Sequence, residues 1–184
     1  ALNEGSDSWT TDPDLETALG INNTLNATSI EFDFISTSST ISFNYILASE
    51  EYFADYPCQY SDGFAFLIRE TGSSNPYQNI ALVPSTSTPV NTNTVHDEIV
   101  GFCEASNDQY FEGYSLGDTN YNGRTTIMSA TASIQPNVEY QIKLIIADQT
   151  DENYDSAVFI QGNSFNATVD LGEDFSTCAS EVTL

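Results

Sequence analysis

The chain has 184 residues, and its 27 acidic residues against three basic ones give a formal net charge of −24. Such a surface repels phosphate backbones and anionic lipids, so neither nucleic acid nor a membrane is expected as a partner. The length suits a single domain over residues 1–184, and no apolar run is long enough to span a bilayer. The acidic excess has two open explanations: a solvated surface adapted to salt or cold, and carboxylates gathered at binding sites.

The beginning of the chain predicts little regular structure apart from one helix. The first residues, ALNEGSDSW, contain neither a basic nor an apolar segment, so we expect a mature module that belongs to a longer chain. A short helix is predicted over Pro13–Leu19 (PDLETAL), where Asp12 suits the N-cap and Pro13 suits the first helical position.

Alternating apolar and polar residues predict β-strands along most of the remaining chain. The alternating segments, in chain order, are 30–34, 41–47, 64–68 and 140–146. Residues Ala157–Gly162 (AVFIQG) form a continuous apolar run, which predicts a strand buried on both faces. Turn-forming residues separate these segments, so the pattern indicates an all-β fold: a β-sandwich with long loops and at most one or two short helices. The weakly patterned tail, residues 172–184, is expected to be a linker.

Carboxylates begin where two of the predicted strands stop. Glu50 and Glu51 follow the run ISFNYILAS, while Asp148, Asp151 and Asp155 follow the run YQIKLIIA. Strands that end together would place these groups at one rim of the fold, where a hard cation would relieve their mutual repulsion. Calcium takes six to eight oxygen ligands, so the pattern predicts a calcium site at this rim.

Several of these acidic positions have a second explanation. Glu50 and Glu51 would face opposite ways on a continuing strand, so both reach one ion only if the strand ends or bulges there. Asp62, in YSDGF, is either a ligand or part of an ordinary Asp-Gly turn. The loop DQTDENYD, which also contains Asn153, is either a ligand loop or a solvated hairpin loop.

The segment DTNYNG, residues 118–123, matches the first half of an EF-hand loop. Ser129 stands where that loop needs its bidentate Glu, so an EF-hand is not expected. A calcium-binding loop that uses Asp118 and a plain Asn-Gly turn both remain open. Arg124 is either half of a salt bridge or an anchor for an anionic ligand. Aromatic residues nearby form either an exposed binding surface or a buried cluster: Tyr110, Phe111, Tyr114 and Tyr121.

The three cysteines give no zinc-binding pattern. Cys58 and Cys103 lie in acid-rich segments expected to be loops, which allows a disulfide between them, and the sequence leaves open whether it forms. Cys178, in the tail, would then be left over.

Six sequence blocks occur in a characteristic order: FNYILASEEY, SDGFAFLI, NIALVP, PVNTNTV, IKLIIAD and YDSAVFIQGNSF. Together they resemble the choice-of-anchor L domain of bacterial surface proteins, over roughly residues 28–166. The acidic character also resembles the peptide-binding domain of very large calcium-dependent RTX adhesins, which act in adhesion and biofilms. The resemblance implies a β-sandwich with several bound calcium ions, on the outside of a bacterial cell.

The same resemblance implies a monomeric module that binds the free C-terminal end of peptides of cell-surface proteins, with a calcium ion touching the ligand carboxylate. The metal ligands expected from the carboxylate clusters and the resemblance are Glu50, Glu51, Asp62, Asp118, Asp148, Asp151, Asn153 and Asp155. The residues expected to contact the ligand are Gly63, Tyr114, Tyr121, Asn122 and Arg124.

Two other functions compete with this prediction. Catalysis is not expected, because His96 is the single histidine and no G-x-S-x-G motif surrounds a serine. A carboxylate pair such as Glu50 and Asp155 suits glycoside hydrolysis, but calcium would keep both ionised, whereas the general acid needs a raised pKa. The stronger alternative is a calcium-dependent carbohydrate-binding module, in which the ion takes sugar hydroxyls.

Overall fold

The computed structural model describes residues 10–117 and 119–167. The expected helix is confirmed as α1, Pro13–Leu19. Within these described residues, ten strands follow it: β1 Thr24–Ile35, β2 Thr40–Ser49, β3 Gly63–Glu70, β4 Gln78–Asn79, β5 Phe111–Tyr114, β6 Gly123–Thr125, β7 Met128–Ser133, β8 Glu139–Gln149, β9 Ser156–Ile160 and β10 Asn166–Ala167. Two single 3-10 turns, Tyr56–Cys58 and Asp108–Tyr110, lie in the long loops.

The strands form two antiparallel sheets, which confirms the all-β prediction. The first sheet has the order β1-β8-β3-β4. The second has the path β10-β2-β6-β5, and β7 and β9 also pair with β2. Strand β2 is therefore the central strand of the second sheet, and its alternating residues Ile41, Phe43, Tyr45 and Leu47 are all buried.

The main core lies between the two sheets and is rich in aromatic rings. Phe43 of β2 contacts Phe66 of β3 at 4.7 Å between ring centroids, and Tyr45 contacts the same ring at 4.9 Å. Phe64 completes the group at 4.8 Å from Phe66. These edge-to-face contacts are the favoured arrangement of aromatic pairs, and they join the sheets at the centre of the fold.

Helix α1 covers the outer face of the first sheet. Its N-cap, Asp12, accepts hydrogen bonds from the backbone N–H groups of Asp14 and Leu15, both at 3.0 Å. Leu15 is fully buried in a second apolar cluster on this face, with Ala65, Leu67, Ile145 and Ala147. Lys143 of β8 reaches the helix start, with Nζ 2.5 Å from Asp12 Oδ2 and 3.1 Å from Asp14 Oδ2. The part of the first sheet that lies beneath the helix, in β3 and β8, is therefore buried on both faces.

The prediction that residues Ala157–Gly162 are buried on both faces is wrong. Strand β9 ends at Ile160, and both Phe159 and Ile160 are more than two-fifths exposed, at 45% and 44%. The physical reason is position: β9 pairs with β2 on one side, and no strand of the described residues pairs with its other side. A similar position explains why Ile30 of β1, the outer strand of the first sheet, is exposed.

Cys58 and Cys103 form a disulfide, with their Cα atoms 5.8 Å apart. Cys178 and the predicted linker, residues 172–184, lie outside the described residues. Within the part of the chain that the structure describes, none of the helices is both long enough and apolar enough to cross a membrane.

Candidate metal and ligand site

The two sheets meet at one rim of the fold. The second sheet contributes the end of β2 and the start of β9, and the first sheet contributes the start of β3 and the end of β8. Ser49 of β2 is the register partner of Ser156 of β9, and Gly63 of β3 is the partner of Ala147 of β8. The Ser156 hydroxyl is 2.8 Å from Ser49 Oγ and donates to Asp62 Oδ2 at 2.6 Å. Ser156 therefore joins the two sheets at the rim where the sequence predicts the carboxylates.

Three buried carboxylates gather there: Glu51, Asp62 and Asp148, which we call the acidic rim. Glu51 Oε2 accepts hydrogen bonds from the backbone N–H of Asp62 at 2.9 Å and from Thr92 Oγ1 at 3.1 Å. Asp148 Oδ2 accepts a hydrogen bond from Asn26 Nδ2 at 2.7 Å. Each carboxylate therefore has at least one neutral donor, but these donors carry no compensating charge.

Burial raises the pKa of every member of the acidic rim. It raises the pKa of Glu51 to about 7, although hydrogen bonds from Asp62 and Thr92 oppose the shift. Burial raises the pKa of Asp62 well above its usual range, and the charge of Glu51 adds to the rise. The pKa of Asp148 is raised by burial too, against the hydrogen bond from Asn26. Three carboxyls held in this way favour either protonation or a nearby cation.

Each of the three basic side chains has a partner outside the acidic rim. Arg69 Nη2 donates to Gln141 at 3.1 Å, and its guanidinium lies 4.0 Å from the centre of the Tyr77 ring. Lys143 pairs with the acidic residues at the start of α1. Arg124 Nε lies 2.6 Å from Glu112 Oε2, so the salt-bridge alternative for this arginine is present in the structure.

The acidic rim fits a hard cation in its chemistry but not as a ready-made site. All its donors are oxygens, the ligand type that calcium takes. Within residues 10–117 and 119–167, however, no three side chains of His, Cys, Asp or Glu are grouped so as to hold a metal ion. Asp118, one of the expected ligands, lies outside the described residues. Calcium coordination therefore stays a prediction, and it requires the carboxylates to approach one another.

Glu50 and Glu51 belong to two different surroundings, because β2 ends at Ser49. The backbone N–H of Glu50 donates to the Asp155 carbonyl at 3.0 Å, and Asn122 Nδ2 donates to the Glu50 carbonyl at 2.5 Å. Burial raises the pKa of Tyr121, and the charges of Asp155 and Glu50 add to the rise. Glu50 is therefore grouped with Asp155, Tyr121 and Asn122, apart from the acidic rim.

The other expected residues lie in varied places. Gly63 starts β3 beneath the helix, where an added Cβ would lie 3.2 Å from Leu15 Cδ2, so it packs against α1. Tyr114 is 43% exposed and contacts the buried Phe111 at 4.8 Å, so the aromatic loop is part surface and part core. Asp151 and Asn153 are exposed, and Asp151 Oδ1 accepts from the Asn153 backbone at 2.9 Å.

Sequence reasoning missed the aromatic residues beside the acidic rim. A cavity of about 230 Å³ is lined by Glu51 and Asp151 together with three tyrosines, Tyr56, Tyr60 and Tyr154. The segment YFADYPCQY contains two of these tyrosines, and its aromatic content directly after Glu51 was the available signal. Tyr154 is 98 residues from Tyr56 and joins it only in the folded chain.

Comparison with known proteins shows the family to which this all-β protein belongs. The family model of the Choice-of-anchor L domain matches residues 1–166. The chain therefore belongs to the Choice-of-anchor L domain family, and it is a module of the surface-associated type. No curated protein and no solved structure matches the chain.

Proposed function

We propose that this domain is a calcium-dependent adhesive module of a bacterial surface adhesin, and that it recognises the free C-terminal carboxylate of target peptides through a bound calcium ion. The observation that carries the proposal is the acidic rim, in which Glu51, Asp62 and Asp148 are buried together. The charged groups that act most strongly on these three carboxyls are themselves acidic. A cation is the simplest source of the missing positive charge.

The residues that would hold calcium are those of the acidic rim, with Asp151 and Asn153 from the adjoining loop. A bound ion supplies positive charge and open coordination positions for oxygen ligands. The protein residues supply the position: Ser156 fixes Asp62, Thr92 fixes Glu51 and Asn26 fixes Asp148. A second location, with Glu50, Asp155 and Asn122, supports the expectation of several ions.

The net charge of the protein also bears on the ligand. A peptide carboxylate is expected to bind only if a cation is bound first. A protein with a net charge of −24 repels a peptide carboxylate. Arg124, which lies next to the expected ligand residue Asn122, does not offset this repulsion, because its guanidinium is paired with Glu112. Peptide recognition through a free C-terminus should therefore depend on calcium.

An array of synthetic peptides with randomised last three residues tests the proposal, with each sequence present as the free acid and as the amide. We expect binding to acids in millimolar calcium, loss of binding in excess chelator, and weak binding to amides. The best acid and its amide are then compared by calorimetry. Equal affinity for the two forms, or binding that survives chelation, contradicts the proposal. Inhibition by free monosaccharides but not by peptide acids would instead support the carbohydrate-binding alternative.

A further inference from the structure

Three tyrosines line the 230 Å³ cavity and are joined by edge-to-face ring contacts through Tyr56: Tyr56, Tyr60 and Tyr154, which we call the tyrosine box. The ring of Tyr56 is inclined at 86° to that of Tyr60, with 5.4 Å between centroids. It is inclined at 84° to the ring of Tyr154, at 5.0 Å. A flat sugar ring stacks on one exposed aromatic platform, whereas walls at right angles surround a small rounded group on several sides.

The remaining walls of the cavity are polar and negative. Glu51 is buried and Asp151 is exposed, and the amide side chains of Gln149 and Asn153 also line the cavity. Among the residues that line this cavity, none is basic. Tyrosine ring faces are electron-rich and attract cations within about 6 Å of the ring centre. The rings and the carboxylates therefore favour the same kind of ligand, one with positive charge.

Hydrogen bonds and a disulfide hold the turn that carries Tyr56 and Tyr60. Tyr56 starts a 3-10 turn, and the backbone N–H of Tyr60 donates to the Tyr56 carbonyl at 2.8 Å. Asn93 Nδ2 donates to the Tyr60 carbonyl at 2.8 Å, and the same group donates to the Pro57 carbonyl at 2.8 Å. The Cys58–Cys103 disulfide ties this turn to a second loop. A box whose walls are already ordered loses little conformational entropy on binding.

We infer that the tyrosine box is a binding site for an alkylammonium group. The rings of Tyr56, Tyr60 and Tyr154 surround the methyl or methylene groups next to the charged nitrogen, and Glu51 and Asp151 balance its charge. Calcium has no comparable use for aromatic faces, because it takes oxygen ligands. The site therefore differs in its ligand chemistry from the proposed calcium site, although Glu51 and Asp151 border both.

The probe is choline, and its neutral isostere is 3,3-dimethylbutan-1-ol, in which a carbon replaces the quaternary nitrogen. Both are titrated into the whole protein in excess chelator and followed by heteronuclear NMR. We expect choline to shift the signals of the residues around Tyr60 and to bind about tenfold more tightly than the isostere, since the two compounds differ essentially in charge. Equal binding of the two compounds, or no binding of choline, overturns the inference.

Variants locate the site. Tyr60→Ala removes one wall, and we expect it to weaken choline binding about tenfold, whereas Tyr60→Phe retains the ring and the affinity within about twofold. Phe102→Ala is the matched control, because Phe102 is an exposed aromatic residue outside the cavity, and this variant should bind choline as the wild type does. Unchanged binding by Tyr60→Ala, or an equal loss in Phe102→Ala, contradicts the inference.

The experiment separates this inference from the proposed function. Because choline is titrated without calcium, its binding does not depend on the calcium site or on a peptide carboxylate. Calcium-dependent peptide binding without choline binding leaves the proposed function and removes the tyrosine box as an ammonium site. Choline binding together with calcium-independent behaviour towards peptides supports the ammonium site and removes the proposed function. The Nα-acetyl amide of lysine, titrated in parallel, shows whether a primary ammonium on a peptide side chain is accepted as well.

Discussion

The backbone N–H of Asp62 donates to Glu51 Oε2 at 2.9 Å, so two buried carboxylates lie side by side at the junction of the sheets. The hydrogen bond aligns the loop that precedes β3 with the end of β2. It also holds the Asp62 carboxylate close enough to Glu51 for the charge of Glu51 to raise the Asp62 pKa. The hydrogen bond stabilises the backbone geometry of the loop, while the two carboxylates, which carry like charge when ionised, repel each other.

Stability without metal should fall as the pH rises through the range in which Glu51 ionises. Burial raises the pKa of Glu51 to about 7 in the folded protein, above its ordinary value of 4.5, so the folded state binds the proton more tightly than the unfolded state does. The ionisation of Glu51 therefore does not destabilise the fold below about pH 4.5. The destabilisation grows between about pH 4.5 and pH 7, and above about pH 7 it reaches its full size, on the order of 3 kcal/mol.

Glu51→Gln should therefore raise the melting temperature in chelator at pH 8, and the gain should shrink towards pH 5. The amide retains an oxygen that accepts from Asp62 and Thr92 but has no charge to desolvate. Glu104→Gln, at an exposed position, removes one charge from the surface and serves as the control for the net charge. Equal gains from the two variants at pH 8 would show that general repulsion, and not burial of Glu51, sets the effect.

Calcium should raise the melting temperature at neutral pH, and magnesium at the same concentration should raise it much less. Carboxylate loops tolerate the irregular coordination of calcium, whereas magnesium requires a near-octahedral shell and retains its water. For a dissociation constant of about 0.1 mM, about 10 mM calcium adds roughly 2.7 kcal/mol to the free energy of unfolding. Differential scanning calorimetry measures this directly, and identical curves in calcium and chelator would contradict it.

Asp62→Ala and Asp155→Ala should weaken calcium binding more than Asp33→Ala does. Asp33 is exposed near the end of β1, opposite Gln141, whereas Asp148 of the rim lies opposite Leu25 near the start of that strand. Titration with calcium, followed by calorimetry, gives the three affinities. Asp62→Asn repeats the test with a side chain of the same shape, which guards against a loss caused by misfolding. Similar affinities in all variants would mean that the ions bind elsewhere.

Gly123→Ala should destabilise the fold by roughly 1–3 kcal/mol, the usual cost of overpacking a filled interior. An added Cβ at Gly123 would lie 2.6 Å from Tyr52 Cβ, and both atoms belong to backbone-fixed positions. Gly162→Ala is the control, since an added Cβ there meets nothing within 4 Å. Urea unfolding of the two variants provides the comparison, and an equal midpoint for both would refute the close approach.

Local sequence patterns predicted most of the helices and strands, because a helix cap and an alternating strand depend on residues that are close together in the sequence. The capping residue Asp12 and the alternation of β2 act over a few residues, and both elements formed where expected. The burial of β9 could not be predicted in this way. Its apolar run is compatible with a buried strand and with an outer one, and only the pairing partners decide between the two.

The sequence predicted those residues of the candidate site that lie at or just after the ends of strands. Glu51 and Asp148 follow or end strands, and the sheets bring them together. The support for Asp148 was not visible, because Asn26 lies 122 residues away, at a β1 irregularity where it adopts a φ of 53°. The wall formed by Tyr56 and Tyr154 likewise requires the folded topology.

The Cys58–Cys103 bond sets conditions for preparing this protein. A reducing cytoplasm would yield chains in which the turn that bears Tyr56 is not tied to the second loop, so expression through an oxidising compartment is the appropriate route. A reductant in the storage buffer, added to protect the third cysteine, Cys178, would break the same bond. Replacing Cys178 with alanine removes the need for the reductant, and ligand measurements can then be made on the oxidised form throughout.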